Sequence, residues 1–402
     1  MTATPLPHRT PDALQVQVSA TLAPFAALWP RSDRKGAGCC TVFQCADILD
    51  VWCDTIGRAR AIAPAFVAVF AGETPAMLLP LGIATRGSVR VLTFLDGTVS
   101  DYNMPVLFPA AAGWDAAAAA RAWAAVAEAL PPFDVALLEK MPAAFDGVPN
   151  PLVHLATGRY HESCHVMSLG GTAEEVARRF PNGADSRRVR RRLEALGPVT
   201  FTIAQDEAAR QEILAAMMTM KRRRFIETKG YDVFAEPGYS AYYEAATRQL
   251  GTGPVHLSAL RVGETIIAAH WGYVSNGRFY YLMPSHAGGE YGRYAPGRLL
   301  NEFLITWSAE QGLAAFDFCI GDEPYKMGYR DVEVPLYTAA LPRNLKGRAF
   351  GAALQMSRAA KTALTQTRLG PVLKDLRQRA RQALGGHNAR RQTGENAGPS
   401  PK

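Results

Sequence analysis

Two stretches of this chain repeat one plan, and that plan restricts the fold more than any other feature. In the first, A-F-V-A-V-F-A runs into the turn Gly72-Glu73-Thr74, then A-M-L-L-P-L-G-I and R-V-L-T-F-L. In the second, V-H-L-S-A-L-R-V runs into Gly263-Glu264-Thr265, then I-I-A-A-H-W-G-Y-V and R-F-Y-Y-L-M-P. β-Rich runs separated by Gly-bearing turns predict three antiparallel strands each time. A helix follows in each copy: the Ala-rich run from Trp114 to Leu130, and the run from Pro296 to Gln311. Each helix gives way to an apolar strand opening on Phe133-Asp134 or Phe316-Asp317. The turns lie 263 − 72 = 191 residues apart and the Phe-Asp pairs 316 − 133 = 183, a loop's difference of eight. A strand reached through a helix predicts parallel pairing, so the expected fold is a mixed α/β sheet built twice.

At 402 residues the chain exceeds one ordinary core. The expected division is 15–155, 156–342 and a basic tail, 343–402. Between the copies the pattern predicts a strand over Tyr160–Leu169 and a helix opened by the capping box Thr172-x-x-Glu175. A helix over Ser186–Leu196, a strand over Val199–Ile203 and a long helix over Glu207–Glu227 follow, with a last strand at Leu336–Leu341. Residues 343–402 hold 13 Lys/Arg and 2 Asp/Glu, or +11, so the rest of the chain sums to 8 − 11 = −3. The basicity belongs to the tail, and the body carries no electrostatic case for DNA binding. The longest apolar stretch, Phe66–Ile83, is broken by Gly72-Glu73-Thr74-Pro75 and reads as a hairpin rather than a membrane span. With no basic-then-apolar leader pattern, a cytoplasmic protein is expected. The six cysteines form no C-x-x-C pair, which predicts reduced thiols and no metal.

The chemistry concentrates between Arg293 and Lys326. In R-Y-A-P-G-R, Pro296 and Gly297 stand where a helix begins, and Leu299, Leu300, Phe303, Leu304 and Trp307 follow at helical spacing. Unpaired N–H groups and a positive dipole at such a start suit a pyrophosphate, with Arg293, Gly297 and Arg298 as its ligands. The next strand delivers Asp322, Glu323, Tyr325 and Lys326 to one turn. Asp322 or Glu323 is placed to accept a proton from an incoming amine or hydroxyl, Tyr325 to return one to a leaving thiolate, and Lys326 to orient the carboxylates. A phosphate-binding helix start beside a proton-handling turn is the layout of an acyl-CoA transferase.

Four motifs then carry a resemblance: S-D-Y-N-M-P at Ser100–Pro105, S-R-R-V-R-R-R-L-E-A-L-G at Ser186–Gly197, A-P-G-R-L-L at Ala295–Leu300 and F-D-F-C-I-G-D-E-P-Y-K at Phe316–Lys326. From about residue 20 to 340 the chain resembles the GNAT-superfamily acetyltransferases of the CelD type, and is similar in architecture to the FemABX aminoacyltransferases. The resemblance implies tandem GNAT domains, acetyl-CoA or another acyl-CoA as co-substrate, and an acceptor in cellulose or exopolysaccharide assembly. It also implies a substrate-cleft role for Asp101 and Tyr102. The chain departs from the usual R/Q-x-x-G-x-G/A loop by placing Pro296 and Arg298 where small residues are common. The first copy lacks the Gly and Arg of this loop and is expected to bind no CoA.

Arg187 and Arg191 share a helical face that would suit an anionic substrate, and His270 is a candidate for the substrate cleft. His161-Glu162-Ser163-Cys164-His165 matches H-E-x-x-H, but on a strand its histidines stand about 13 Å apart, too far to share a zinc. In the tail, Leu369, Val372, Leu373 and Leu376 oppose Lys374, Arg377 and Arg379. That stripe predicts peripheral contact with the inner membrane or a glycan synthase. Two alternatives stay open: a FemABX-like transferase using aminoacyl-tRNA, and a non-catalytic scaffold.

Overall fold

The computed structural model describes residues 14–34 and 36–366. In the first half, strand β1 (Leu14–Ser19) is followed by helix α1 (Ala46–Trp52), strands β2 (Ala63–Ala71), β3 (Thr74–Arg86), β4 (Val89–Phe94) and β5 (Val106–Leu107), helix α2 (Ala116–Ala129) and strand β6 (Val135–Pro142). A small hairpin, β7 (Ala144–Phe145) and β8 (Val148–Pro149), closes it. Strand β9 (Gly158–Ser168) leads to helices α3 (Ala173–Arg178) and α4 (Gly183–Glu194), strand β10 (Val199–Ile203), and helices α5 (Glu207–Lys229) and α6 (Tyr239–Leu250). Then come strands β11 (Val255–Val262), β12 (Thr265–Ser275), β13 (Arg278–Tyr280) and β14 (Ser285–His286), and helix α7 (Pro296–Glu310). Strand β15 (Ala315–Ile320), helix α8 (Pro324–Met327), strand β16 (Val332–Pro342) and helix α9 (Leu345–Gln366) complete the order.

The duplication expected from the repeat is present in the topology. One mixed sheet runs β1-β2-β3-β4-β6-β16-β9-β15-β13-β12-β11-β10. Read from either end, the path is the same: an antiparallel meander, then a parallel strand reached through a helix. β4 pairs parallel with β6 across α2, and β13 pairs parallel with β15 across α7. Turn chemistry fixes the hairpins: Gly72 and Gly263 have φ of 62° and 56°, and the Asn276-Gly277 turn has both residues left-handed.

The centre of the sheet departs from two separate domains. β9 follows the first half in sequence but pairs with β15 of the second. β16 follows the second half but pairs with β6 of the first, and β9 and β16 lie antiparallel side by side. By the repeat, in which β9 answers to β16, the halves have exchanged their last strands; a boundary near residue 156 instead falls at the β6/β16 pairing, with the strands before it on one side and those after it on the other.

Apolar periodicity sets the layers. Leu299, Leu300 and Leu304 of α7 pack with Phe279, Phe316, Phe318 and Met167 on one face. On the other face, Met217 and Met220 of α5 and Tyr242 and Tyr243 of α6 pack with Trp271, Tyr273 and Tyr280. α6 and α1 were not anticipated from the sequence pattern. The described part of the tail packs on its own protein: Phe350 and Leu354 of α9 lie against Val91, Val135 and Leu137, and Lys346 pairs with Asp134 at 3.5 Å. Gly347 is required there, since a Cβ would stand 1.9 Å from the Asp134 carbonyl oxygen. The proposed stripe from Leu369 to Leu376 lies outside the described residues.

Candidate active site

Because β13 and β15 are parallel, their C-terminal ends share one edge of the sheet, and the connecting α7 begins there. The helix start and the Asp322–Lys326 turn therefore open at the same end of the molecule, where ligands bind in open α/β sheets.

At that end the strands part. The last bond between them is Tyr281 N–H to the Asp317 carbonyl, at 2.8 Å. Beyond it the chain follows β12 alone: Met283 N–H donates to Trp271 O, and Ser285 pairs with Ala269. Tyr280 opposes Tyr273 and Ser285 opposes Ala269, so five residues match four of β12, and a bulge lies between. The resulting gap between the strands opens beside residues 282–285. β15 diverges too, with a second bulge between Asp317 and Ile320 where Cys319 is left-handed at φ 57°.

The α7 start borders this gap. Ala295 is left-handed at φ 45° and supplies no side-chain cap, Pro296 has no N–H, and Arg298 and Leu299 N–H both donate to Ala295 O. Gly297 N–H is left without a backbone acceptor. His286 covers Gly297 so closely that a Cβ would sit 3.0 Å from its Cδ2. Cations ring the start. Arg293 and Arg192 lie 5.0 and 5.5 Å from the Tyr294 ring, and Arg223 donates to His286 O at 3.0 Å. Arg298 donates to Asp185 of α4 at 2.5 Å, and that carboxylate, also bound by Arg188, is held below its ordinary value by those bonds. Arg187 and Arg191 remain exposed on α4 beside this ion pair. The reach of Arg223 and Lys221 was not foreseen: their cluster was visible in the sequence, but their contacts at His286 and Pro284 need the folded α5.

The proton-handling turn is more engaged than its sequence suggested. Asp322 accepts from His165 Nε2 at 2.9 Å and from Ser163 N–H at 3.3 Å. Glu323 pairs with Lys326 at 2.9 Å, and Lys326, 3 % exposed, also donates to Ile320 O at 2.7 Å. Tyr325 stays partly exposed, edge-on to Phe318, and desolvation with the Glu323 charge raises its phenol well above the ordinary value.

The S-D-Y-N-M-P segment of the first half arrives at the same place. Asp101 Oδ2 accepts from Ile320 N–H at 3.4 Å. Burial raises its carboxyl to about 6 against the opposing pull of Lys140 and Lys326. Lys140, left-handed at φ 60°, bonds Asp96 at 2.9 Å and Ser100 O at 2.8 Å, fixing the loop.

Two expected substrate contacts are buried. Tyr102 is 1 % exposed and donates to Asp317 at 2.9 Å, which ties the halves together. His270 is fully buried beneath α7, stacked on Tyr281 at 4.7 Å, because its position on β12 points inward. It sits with His256 at a ring distance of 6.2 Å, and no ring nitrogen of either has a protein partner. Burial, then the Arg210 charge, lowers His256 to about 3; burial likewise lowers His270. The unfolded chain takes up protons below about pH 6.5 while the native pair does not. Stability contributed by this pair is therefore level above pH 6.5 and lost as pH falls toward 3. Chemical denaturation between pH 7 and 4.5 should show a loss of up to ~1.4 kcal/mol per pH unit per histidine, reduced in His270→Phe.

Residues 183–327 match the family described as Acetyltransferase (GNAT) domain. No curated protein sequence matches the chain. Among solved structures, FemX superposes with a TM-score of 0.50 at 10 % identity, covering 73 % of this chain and 92 % of FemX. L-PGS from Bacillus licheniformis (14 % identity, 67 % and 82 % covered, TM-score 0.41) is also similar. So is a tandem GNAT protein from the clavulanic acid biosynthesis pathway (11 %, 82 % and 98 %, 0.41). The chain thus has a GNAT acyltransferase fold, laid out as two GNAT-like halves in one sheet.

Proposed function

We propose that this protein transfers an acyl group from acyl-CoA to an amine or sugar acceptor, the acceptor belonging to cellulose or exopolysaccharide assembly as the motif resemblance implies. The observation that carries this reading is the meeting, at one sheet edge, of an uncapped helix start, a parted strand pair and ionisable groups from both halves. Gly297 N–H and the dipole of α7, ringed by Arg192, Arg223, Arg293 and Arg298, would hold the CoA phosphates, with Arg187 and Arg191 adding to the same positive field. The gap between β13 and β15 would take the pantetheine arm, and backbone near Leu282 would face the thioester carbonyl. Asp101 takes the acceptor's proton and Tyr325, protonated at neutral pH, gives one to the departing thiolate. Asp322, Glu323 and Lys326 hold the turn that aims Tyr325.

In this reading the first half binds no CoA. Its corresponding gap between β4 and β6 is filled by its own chain, with Asn103 N–H bonded to Lys140 O and Met104 fully buried. The start of α2 is capped by Asp115, which accepts from Ala118 N–H at 2.8 Å. An intramolecular carboxylate already satisfies what a phosphate would need.

Calorimetry with the full chain should show saturable acetyl-CoA binding at one site. Gly297→Glu, which sets a carboxylate at the helix start without opposing its dipole, should weaken it at least ten-fold. No heat at millimolar ligand would discard the acyl-CoA reading. Salt-sensitive binding of aminoacyl-tRNA by the same protein would then favour the FemABX-like alternative.

A further inference from the structure

The H-E-S-C-H segment, idle as a metal motif, carries a histidine with an unusual environment. His165 is 1 % exposed on β9, and Nε2 lies 2.9 Å from Asp322 Oδ1. Its Nδ1 is buried with no partner. A carboxylate facing Nε2 fixes the proton on that nitrogen and leaves the Nδ1 lone pair stranded, which costs folding free energy. A phenylalanine or leucine would fill the place without that cost, so packing alone does not account for a histidine here.

The contact falls where the regular ladder ends. β15 shifts register against β9 at the bulge after Asp317, pairs once more at Ile320 and Cys164, and the chain must then be guided into the turn. Three bonds from β9 do so: Gly321 N–H to Ser163 O at 3.1 Å, Ser163 N–H to Asp322 at 3.3 Å, and His165 to Asp322. Only the last uses a side chain of β9. Asp322 is itself half-exposed, so without His165 its carboxylate can rotate into solvent.

We infer that His165 is a positioning residue, which pins Asp322 through its Nε2–H and thereby fixes the turn that carries Tyr325 and Lys326. This role rests on the acyltransferase reading above for its catalytic consequence, but the pin itself does not. Because β9 follows the first half in sequence, the exchanged strand aims the second half's turn.

The test uses the full chain and four forms: wild type, His165→Phe, His165→Gln and Asp322→Ala. Gln places an N–H donor near the Nε2 position, and Phe does not. Hydrogen exchange across 321–327 should quicken in His165→Phe and in Asp322→Ala, and return toward wild type in His165→Gln. Acetyl-CoA binding, read by calorimetry, should stay within two-fold in all four. Thiol release from acetyl-CoA with glucosamine as probe acceptor should fall about ten- to hundred-fold in kcat for His165→Phe, with the KM for acetyl-CoA unchanged. The double variant His165→Phe/Asp322→Ala should lose no more than either single one. Unchanged exchange in His165→Phe, or equal behaviour of the Phe and Gln forms, overturns the pin. Absence of acetyl-CoA binding in the wild type overturns the acyltransferase reading instead, and the exchange result still decides the pin.

Discussion

Asp101→Asn is expected to lower kcat about 100- to 10,000-fold while leaving acetyl-CoA affinity within two-fold of wild type. The carboxylate comes from the first half and accepts from Ile320 N–H at the end of β15; in the proposed arrangement it serves the acceptor and not the CoA phosphates, so donor binding should not depend on it. Burial raises its carboxyl to about 6, with Lys140 and Lys326 pulling the other way. A base of that strength is mostly ionised at neutral pH yet basic enough to take a proton in the transition state. The wild-type rate should accordingly climb as pH rises through about 6 and then level, and the Asn variant should lack that limb. The measurement is thiol release across pH 5 to 8 with an amino-sugar acceptor. Retention of a tenth of the wild-type kcat by Asp101→Asn would remove Asp101 from the mechanism.

The largest stability effect is expected at Arg278. Its guanidinium bonds Asp317, which is fully buried, at 3.1 Å and Asp146 at 2.8 Å, and stacks 4.8 Å from the Phe145 ring. Tyr102 reaches the same Asp317 from the other half. Burial raises the Asp317 carboxyl, and Arg278 is the main influence opposing it. Arg278→Met leaves that charge uncompensated and should cost roughly 3–5 kcal/mol, read by chemical denaturation at pH 7.5. Without the guanidinium the native carboxyl titrates higher than the unfolded one. The deficit is therefore greatest above the native value and shrinks as pH falls, because the buried acid neutralises. Arg278→Met/Asp317→Asn should recover part of the loss. A single-variant cost below 1 kcal/mol would mean that the Arg278–Asp317 ion pair does not hold the seam.

The parts legible in the sequence were those written locally. The two G-E-T turns, the Pro296-Gly297 helix start and the Phe316–Lys326 motif each depend on neighbours within a few residues, and each stands where its pattern placed it. The long helix α5 ends at Lys229, two residues past the expected Glu227, and Gly230 after it is left-handed at φ 77°. What escaped notice was assembled from distant segments. His165 and Asp322 are 157 residues apart, and Tyr102 and Asp317 are 215 apart. Neither side chain of such a pair leaves a periodic trace, so His165 was weighed only as a zinc ligand and Tyr102 only as a cleft residue. The exchange of β9 and β16 was hidden for a related reason: a strand's pattern reports which face is buried, not which neighbour it chooses.

That exchange makes the molecule the single-chain counterpart of a homodimer whose subunits trade their terminal strands. Cutting the gene between β9 and β10 should not release two working modules. Each fragment would carry away the strand its sister needs and expose a bare sheet edge in the middle of its own core. The duplicated half without the uncapped helix start has therefore remained indispensable, as both clasp and wall for the half that has one.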